Sequence, residues 1–357
     1  MDLSRGKPIV EVTINGRGPY RFAMDTCAAA TVIDADLATE LGLAAAGETK
    51  IGDPSNPEGI SATIHPIESL SIESAVFKEF NVVAWDRSPL YPGADRPRGV
   101  LGLPLFSKCL LQLNYPQGRV AMSKGELPEP DGKTVLAIAG EEQILGAMVT
   151  FDGRKVLAHI DSGATGDLMI PAEWASRLHF TEAPRAVGRA RTVTGEHDVL
   201  EATLQGTFAL GARAWTNPVV RLSPLLDGRD VINIGSGILR EYVLTVDVAH
   251  SRLQLDRTTE ATAQRATPAS RRPFGVIMAP QGTAMREPLV VQKVVEHSPA
   301  EAAGLLGGDV IVRLNGRLVA DMTPDEVRDV FLKAERLSLE VERGGKNLAI
   351  QVDRPAS

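Results

Sequence analysis

Two cysteines in 357 residues are too few for a disulfide framework, and no CxxC pair prepares a metal site. Cysteine usage therefore leaves the redox compartment open. The six histidines (65, 159, 179, 197, 250 and 297) contain no H-E-x-x-H spacing, which argues against a zinc peptidase. No uninterrupted apolar run reaches about 18 residues, so no membrane-spanning helix is expected. Dense Lys/Arg blocks are also missing and the net charge is -7, so nucleic acid is not an expected partner. The N-terminal stretch "MDLSRGKPIVEVTING" moves straight into strand-like alternation and lacks the apolar segment of a signal peptide. Localisation stays open on these grounds: cytoplasmic as written, periplasmic or exported if a leader has been removed.

What remains is ordinary globular material, 43% hydrophobic and 23% charged, long enough for two or three domains. Two composition shifts divide it. "SKGELPEPDGK" (123–133) is rich in Gly, Pro and charge and reads as a linker, and "TTEATAQRATPASRR" (258–272) is polar and reads as a flexible one. The expected units are residues 1–126, 133–257 and 273–355. The first two are rich in short β-like runs such as "PIVEVTI", "EFNVVAW", "GAMVTF" and "KVLAHI", with turns at Asn15-Gly16 and Asp152-Gly153. Only "DADLATELGL" and "PAEWASRL" have helical spacing there.

The two units repeat each other. "FAMDTCAAATVID" (22–34) and "AHIDSGATGDLMI" (158–170) share an apolar strand, an Asp followed by a hydroxyl residue, small neighbours and a second apolar run. Asp25 and Asp161 lie 136 residues apart; setting Gly102 on Gly235 gives 133 and pairs Phe106 with Leu239, Leu113 with Val246 and Arg119 with Arg252. Two nearly equal offsets, with loop drift between them, are the mark of an internal duplication.

Two carboxylates brought within about 3 Å cannot both be ionised, because like charges at that distance force one proton affinity up. The pair shares a proton; its ionised member can deprotonate a water while the protonated member polarises a carbonyl. Such a pair needs tight turns whose N–H groups reach the carboxylates and whose hydroxyls tie the turns together. Asp followed by Thr or Ser is also common at ordinary loop starts; the duplication is what favours the chemical reading.

These residues resemble the pepsin and retropepsin family of aspartic peptidases. Asp25-Thr26-x-Ala28 and Asp161-Ser162-Gly163-Ala164 match its motif, and Val100-Leu101-Gly102 and Asn233-Ile234-Gly235 match its later apolar-apolar-Gly element, Asn233 being a polar departure. The resemblance implies a mainly β fold of two pseudo-equivalent acid-protease barrel lobes with one active site between them. It further implies Asp25 and Asp161 as the catalytic pair, with Thr26, Cys27, Ala28, Ser162, Gly163 and Ala164 as supports, and neither metal nor organic cofactor. Flap hairpins are expected near 50–64 and 189–202, although neither contains the tyrosine of a pepsin flap.

Cys27 stands where the family has glycine, beside the bound substrate backbone. Three outcomes are open: tolerance of a small side chain, loss of activity leaving a peptide-binding scaffold, or a thiol that gates the cleft by oxidation. Cys109, in "LFSKCLLQL", reads as core.

The third unit carries short strands and one helix, "TPDEVRDVFLKAE", with Thr323 as N-cap and Pro324 in the first turn. "PFGV", Ser298-Pro299-Ala300, Ala303-Gly304-Leu305, Gly308-Asp309-Val310-Ile311 and Asn315-Gly316 resemble a PDZ domain, a small α+β fold, of the type attached to bacterial proteases. That resemblance implies capture of a peptide C-terminal carboxylate by Phe274, Gly275 and Val276, with protein or peptide substrates as partners; a purely structural or assembly role is the alternative. A trypsin-like enzyme is disfavoured because neither "IDSGAT" nor "GSG" at 235–237 is a GxSGG-type turn. His159, alternating with Asp161, reads as packing or surface. Oligomeric state has no signature.

Overall fold

The computed structural model describes residues 1–3, 6–53, 56–87, 96–191, 196–257, 274–278, 289–295 and 298–354. The described residues are mostly β, 53% strand and 12% helix. It divides into two compact units, one holding both repeated lobes and the other the C-terminal domain. The 258–272 linker lies outside the described residues.

Each lobe begins with a hairpin whose turn was legible. Strands Ile9–Ile14 and Arg17–Asp25 turn at Asn15-Gly16, with φ of 49° and 76°; Gly146–Phe151 and Arg154–Ile160 turn at Asp152-Gly153, with φ of 47° and 76°. Two successive positive φ values match the right-handed twist of the paired strands, and Asn-Gly and Asp-Gly adopt them readily. The second strand of each hairpin carries its lobe's Asp at or just beyond its end.

The pairings that follow repeat as well. Arg17–Asp25 runs parallel to Gly99–Gly102, with Asp25 opposite Gly102, and Arg154–Ile160 runs parallel to Val231–Ile234, with Ile160 opposite Ile234. Val32–Asp34 and Leu168–Pro171 pair antiparallel to those same late strands, with Val32 opposite Val100 and Met169 opposite Asn233. In the first lobe Ile9–Ile14 also pairs with Asn56–Ile72, which curls the sheet toward a barrel. Leu110–Asn114 and Tyr242–Asp247 pair antiparallel with each other in an inter-lobe sheet, Asn114 opposite Val243 and Leu110 opposite Asp247. Residues equated by the 133 offset thus exchange partners, as a local two-fold axis requires. One apolar core runs through both lobes, including Phe22, Met24, Leu101, Ile160, Ile232 and Ile234.

The later glycines are fixed by close approach. A Cβ on Gly102 would stand 2.4 Å from the Ala30 carbonyl oxygen, and one on Gly235 would stand 2.4 Å from that of Gly166. In both lobes the Asp-bearing loop folds over this element, leaving no room for a side chain.

Three expectations need correction or refinement. "PAEWASRL" forms only a 3-10 turn, Ala172–Ser176, in which Trp174 is buried and Arg177 stacks over the indole at 4.3 Å; "DADLATELGL" does yield a helix, Ala35–Leu41. The 123–133 linker is pinned at one point: Leu127 is buried, its N–H donates to Asp247 at 2.9 Å and its carbonyl accepts from Arg252. Cys109 is half-buried against the edge of the core.

The C-terminal domain has its own core, with Phe274, Val291, Leu305, Ile311, Leu339 and Val341 among its members. Its sheet runs from edge strand Val276–Met278 through Leu289–Val294, Val310–Leu314 and Arg336–Arg343 to Lys346–Asp353. Helix Pro324–Lys333 starts in a full capping box: the Glu326 N–H donates to Thr323 Oγ1, and the Thr323 N–H donates back to the Glu326 carboxylate.

Candidate active site

The two Asp turns meet and are tied by a reciprocal exchange. The Thr26 N–H donates to Ser162 Oγ at 3.0 Å, and the Ser162 N–H donates to Thr26 Oγ1 at 3.0 Å. Each hydroxyl then donates onward across the lobe boundary, Ser162 to the Met24 carbonyl at 2.8 Å and Thr26 to the Ile160 carbonyl. Both side chains are buried, so each accepts one bond, donates one, and leaves no orphaned group. Leu145 adds a clasp from the second lobe: its N–H donates to the Thr26 carbonyl at 2.9 Å while its own carbonyl accepts from Ile160.

Through this brace the Asp25 and Asp161 carboxyls lie close enough for the charge of one to act on the other. Burial, and then the charge of Asp161, push the Asp25 carboxyl from an ordinary 3.8 up to about 7; Lys7 and the Cys27 N–H act in the opposite direction. Asp25 Oδ1 accepts from the Cys27 N–H at 2.8 Å, and Asp161 Oδ1 accepts from the Ala164 N–H at 2.9 Å. The turns are closed by Ala28 N–H to the Asp25 carbonyl and Ala164 N–H to the Asp161 carbonyl. The carbonyls of Ala28 and Ala164 in turn accept from Leu103 and Ser236, just past the two late glycines.

Gly163 lies hard against the opposite carboxyl, where a Cβ would be 2.2 Å from Asp25 Oδ2. Its counterpart Cys27 is half-buried and its Sγ faces the Leu145 carbonyl at 3.8 Å. Burial first, then Asp161 and Asp25, hold this thiol well above its ordinary value. A protonated thiol is a poor nucleophile and is slow to oxidise, which speaks against the redox gate.

Four further residues belong to the site, and the motif did not reveal them. Asn233 donates from Nδ2 to Asp161 Oδ2 at 2.7 Å; its only sequence signal was a polar residue in an apolar element. Tyr115 is buried just beyond Leu110–Asn114, and burial, then the charges of Asp161 and Asp25, raise its hydroxyl well above its ordinary value. Lys7 and Leu145 arrive from loops with no recognisable pattern. His159 is buried, and burial and Arg229 push it below its ordinary value, so the ring is neutral. Arg229 itself pairs with Glu141 at 2.7 Å.

The hairpins expected as flaps correspond to Gly47–Asp53 with Asn56–Ile72 and to Arg185–Arg191 with Glu196–Thr203; residues 54–55 and 192–195 lie outside the described residues. In the C-terminal domain, Phe274 and Val276 turn their side chains into the core around Gly275 (φ 73°), whose carbonyl accepts from Val295. A Cβ on Gly275 would lie 2.2 Å from that of Ser298. Among the described residues, no three His, Cys, Asp or Glu side chains are grouped to hold a metal, and no helix is long and apolar enough to cross a membrane.

Comparison with known proteins gives two family matches. The aspartyl protease family model matches residues 10–105 and 147–239, more than half of the chain, with Asp25 in the first segment and Asp161 in the second. The PDZ domain model matches residues 290–343. Among curated proteins, Serine protease HTRA3 of Mus musculus is 37% identical over 73 residues, 20% of this chain and 16% of that protein. The Rattus norvegicus protein is 36% identical over 73 residues and the Homo sapiens protein 36% over 64. The chain thus spans about a sixth of the length of these relatives, and the similarity is confined to the PDZ region, so it carries nothing about catalytic type. Among solved structures, the crystal structure of the HtrA3 PDZ domain bound to a phage-derived ligand (FGRWV) is 27% identical; the match covers 23% of this chain and 83% of that one, with a TM-score of 0.20.

Proposed function

The chain belongs to the aspartyl protease family and carries a C-terminal PDZ domain; from that premise we propose that it is an aspartic endopeptidase whose Asp25 and Asp161 cleave peptide bonds through an activated water. The observation that carries this reading is the Thr26–Ser162 exchange, which ties the two Asp turns to each other, while burial first and then the charge of Asp161 raise the Asp25 carboxyl to about 7. At mildly acidic pH one proton serves the pair. Asp161 takes a proton from the water as its oxygen attacks the scissile carbonyl carbon, while Asp25 gives its proton to the carbonyl oxygen. Collapse of the tetrahedral intermediate passes a proton to the amide nitrogen, breaks the C–N bond and returns the pair to its starting state. Thr26 and Ser162 brace the turns, and Cys27, Ala28, Gly163 and Ala164 form the floor.

In this proposal the PDZ domain tethers substrates by their C-termini, raising their concentration at the cleft. Val276–Met278 is an edge strand of the domain sheet, which can accept an added peptide strand, and the buried Phe274 and Val276 side chains fix the backbone of the carboxylate loop.

Cys27 supports a second reading, a peptide-binding scaffold with an idle pair. Casein hydrolysis with and without pepstatin separates the two. Turnover that pepstatin and Asp161→Asn abolish supports the peptidase. Absence of turnover in both wild type and Cys27→Gly, over about pH 3 to 7, supports the scaffold. A PDZ-mediated assembly protein would instead lose all function on deletion of 273–357 and none in Asp25→Asn.

A further inference from the structure

The duplicated scaffold treats its two carboxyls alike in outline, and two of its departures bear on how they share charge. Each Asp accepts a backbone N–H on Oδ1, from Cys27 two residues on in the first turn and from Ala164 three residues on in the second. Each lies beside a late apolar strand at the same register: Ala23 opposes Val100 as His159 opposes Asn233. Only the second lobe places a donor there, and Asn233 Nδ2 reaches Asp161 Oδ2 at 2.7 Å where the first lobe offers a valine. The second difference follows the first in space. An exact two-fold would set an Asp161 oxygen against the Cys27 Cβ, as Asp25 Oδ2 is set against the Gly163 position at 2.2 Å. Cys27 has a Cβ, so that close approach cannot be repeated between Asp161 and Cys27.

We propose that Asn233 is a positioning residue that makes the pair unequal, holding the negative charge on Asp161 and leaving the shared proton on Asp25. The inference rests on the reading of Asp25 and Asp161 as a proton-sharing pair. A neutral N–H donated to a carboxylate oxygen favours its charged form, and an uncharged acid accepts such a bond less well. Asn233 Oδ1 is buried without a hydrogen-bond partner among the described residues. Valine, as at 100, would bury no such atom, so the amide is useful there only for what Nδ2 does.

Charged and titratable groups surround both carboxyls. Lys7 favours the charged form of Asp25 and opposes the assignment, but it ranks below burial and the Asp161 charge in setting that carboxyl at about 7. His159 is held neutral, the Cys27 thiol and the Tyr115 hydroxyl are held protonated, and Glu141 is paired with Arg229. None of these supplies the missing asymmetry. In mechanistic terms, Asn233 would fix Asp161 as the base and Asp25 as the acid before substrate arrives.

The test is a carboxyl-13C NMR titration of the full chain labelled at aspartate. The two carbons are assigned by their loss in Asp25→Asn and Asp161→Asn. In wild type the carbon lost in Asp25→Asn is expected to take up the pair's proton near pH 7. In Asn233→Val both carbons should shift together, and in Asn233→Val/Val100→Asn the proton should move to Asp161. Thermal unfolding of Asn233→Val should be unchanged or improved, because an unsatisfied buried atom is removed. Titrations that are the same in wild type and Asn233→Val, or a wild-type proton on Asp161, overturn the proposal. A lower melting temperature with unaltered titration makes Asn233 a mere prop and overturns it equally. The alkaline limb of kcat/KM should also shift by about one pH unit in Asn233→Val. If wild type cleaves nothing yet the titration comes out as expected, the peptidase reading fails and this one stands; normal turnover with unaltered titration is the reverse.

Discussion

The turn around Asp25 and the turn around Asp161 are two copies of one design, and their departures from each other say more than their agreement. The backbone is held alike on both sides: a late glycine beneath each loop, an N–H on each Oδ1, a hydroxyl crossing to the opposite lobe. Among the side chains that differ between the copies, two pairs bear on the carboxyls: Cys27 against Gly163 and Val100 against Asn233. A two-fold frame brings like charges together, and the unlike residues on it decide how the pair divides its proton. Duplication within one chain permits this, because each copy can be changed alone.

The comparison breaks most visibly if the two acids prove unequal in necessity. On the peptidase reading Asp25→Asn and Asp161→Asn each lower kcat on casein by about 10²–10⁴-fold, the range for loss of a positioned acid or base. Retained turnover in either variant would make the other Asp sufficient, and the shared-proton account would fall.

Next in size is the glycine position. Gly163→Ala puts a Cβ 2.2 Å from Asp25 Oδ2 and forces that carboxyl aside. A displacement near 1 Å in a reacting group costs about 100-fold in rate, which steady-state kinetics would register while circular dichroism stays native. Cys27→Gly, the same position in the other copy, should change kcat/KM by less than about 3-fold, because the sulfur faces Leu145. A large gain in Cys27→Gly would instead identify the thiol as an obstruction.

The brace supplies a symmetric control. Thr26→Ala and Ser162→Ala each strand a buried N–H, at about 1–3 kcal/mol of unfolding free energy. Because the two hydroxyls act on each other's turns, the double variant should lose less than the sum of the singles. Additive losses in urea unfolding would mean that the exchange does not couple the lobes.

Much of this frame could be read in advance, and the reasons are local. Asn15-Gly16 and Asp152-Gly153 announce their hairpins through the φ values they favour. Gly102 and Gly235 align the copies because each lies under a loop that excludes a Cβ. The Asp-Thr and Asp-Ser turns, which the structure brings into contact, stood out through repetition. Asn233 was visible only as a polar letter among apolar ones; its partner 72 residues away depends on a parallel strand pairing that no local pattern encodes. Tyr115, Lys7 and Leu145 were hidden for the same reason. "PAEWASRL" has helical spacing but ends as a 3-10 turn, because Trp174 is drawn into the core and Arg177 caps its ring. The 123–133 segment reads as a linker from its Gly, Pro and charge, and within it Asp247 and Arg252 hold Leu127 in place.

The gentlest probe of the comparison is stability against pH. Asp25 binds its proton more tightly folded (about 7) than unfolded (near 3.8). Between those values the native state carries a proton that the unfolded state has lost, so this group's contribution is complete below pH about 4, declines as pH rises, and is gone above about 7. The decline is at most about 1.4 kcal/mol per pH unit. Asp309 and Glu326, held below their ordinary values by Arg343 and by the Thr323 N–H respectively, contribute the opposite slope at lower pH. The informative quantity is therefore the difference between wild type and variant, from urea unfolding at several pH values. Asp25→Asn should remove the decline, and Asp161→Asn should reduce it by taking away the charge that helps hold the proton on its neighbour. A decline that survives Asp25→Asn unchanged would place that proton elsewhere, and with it the inequality between the two turns.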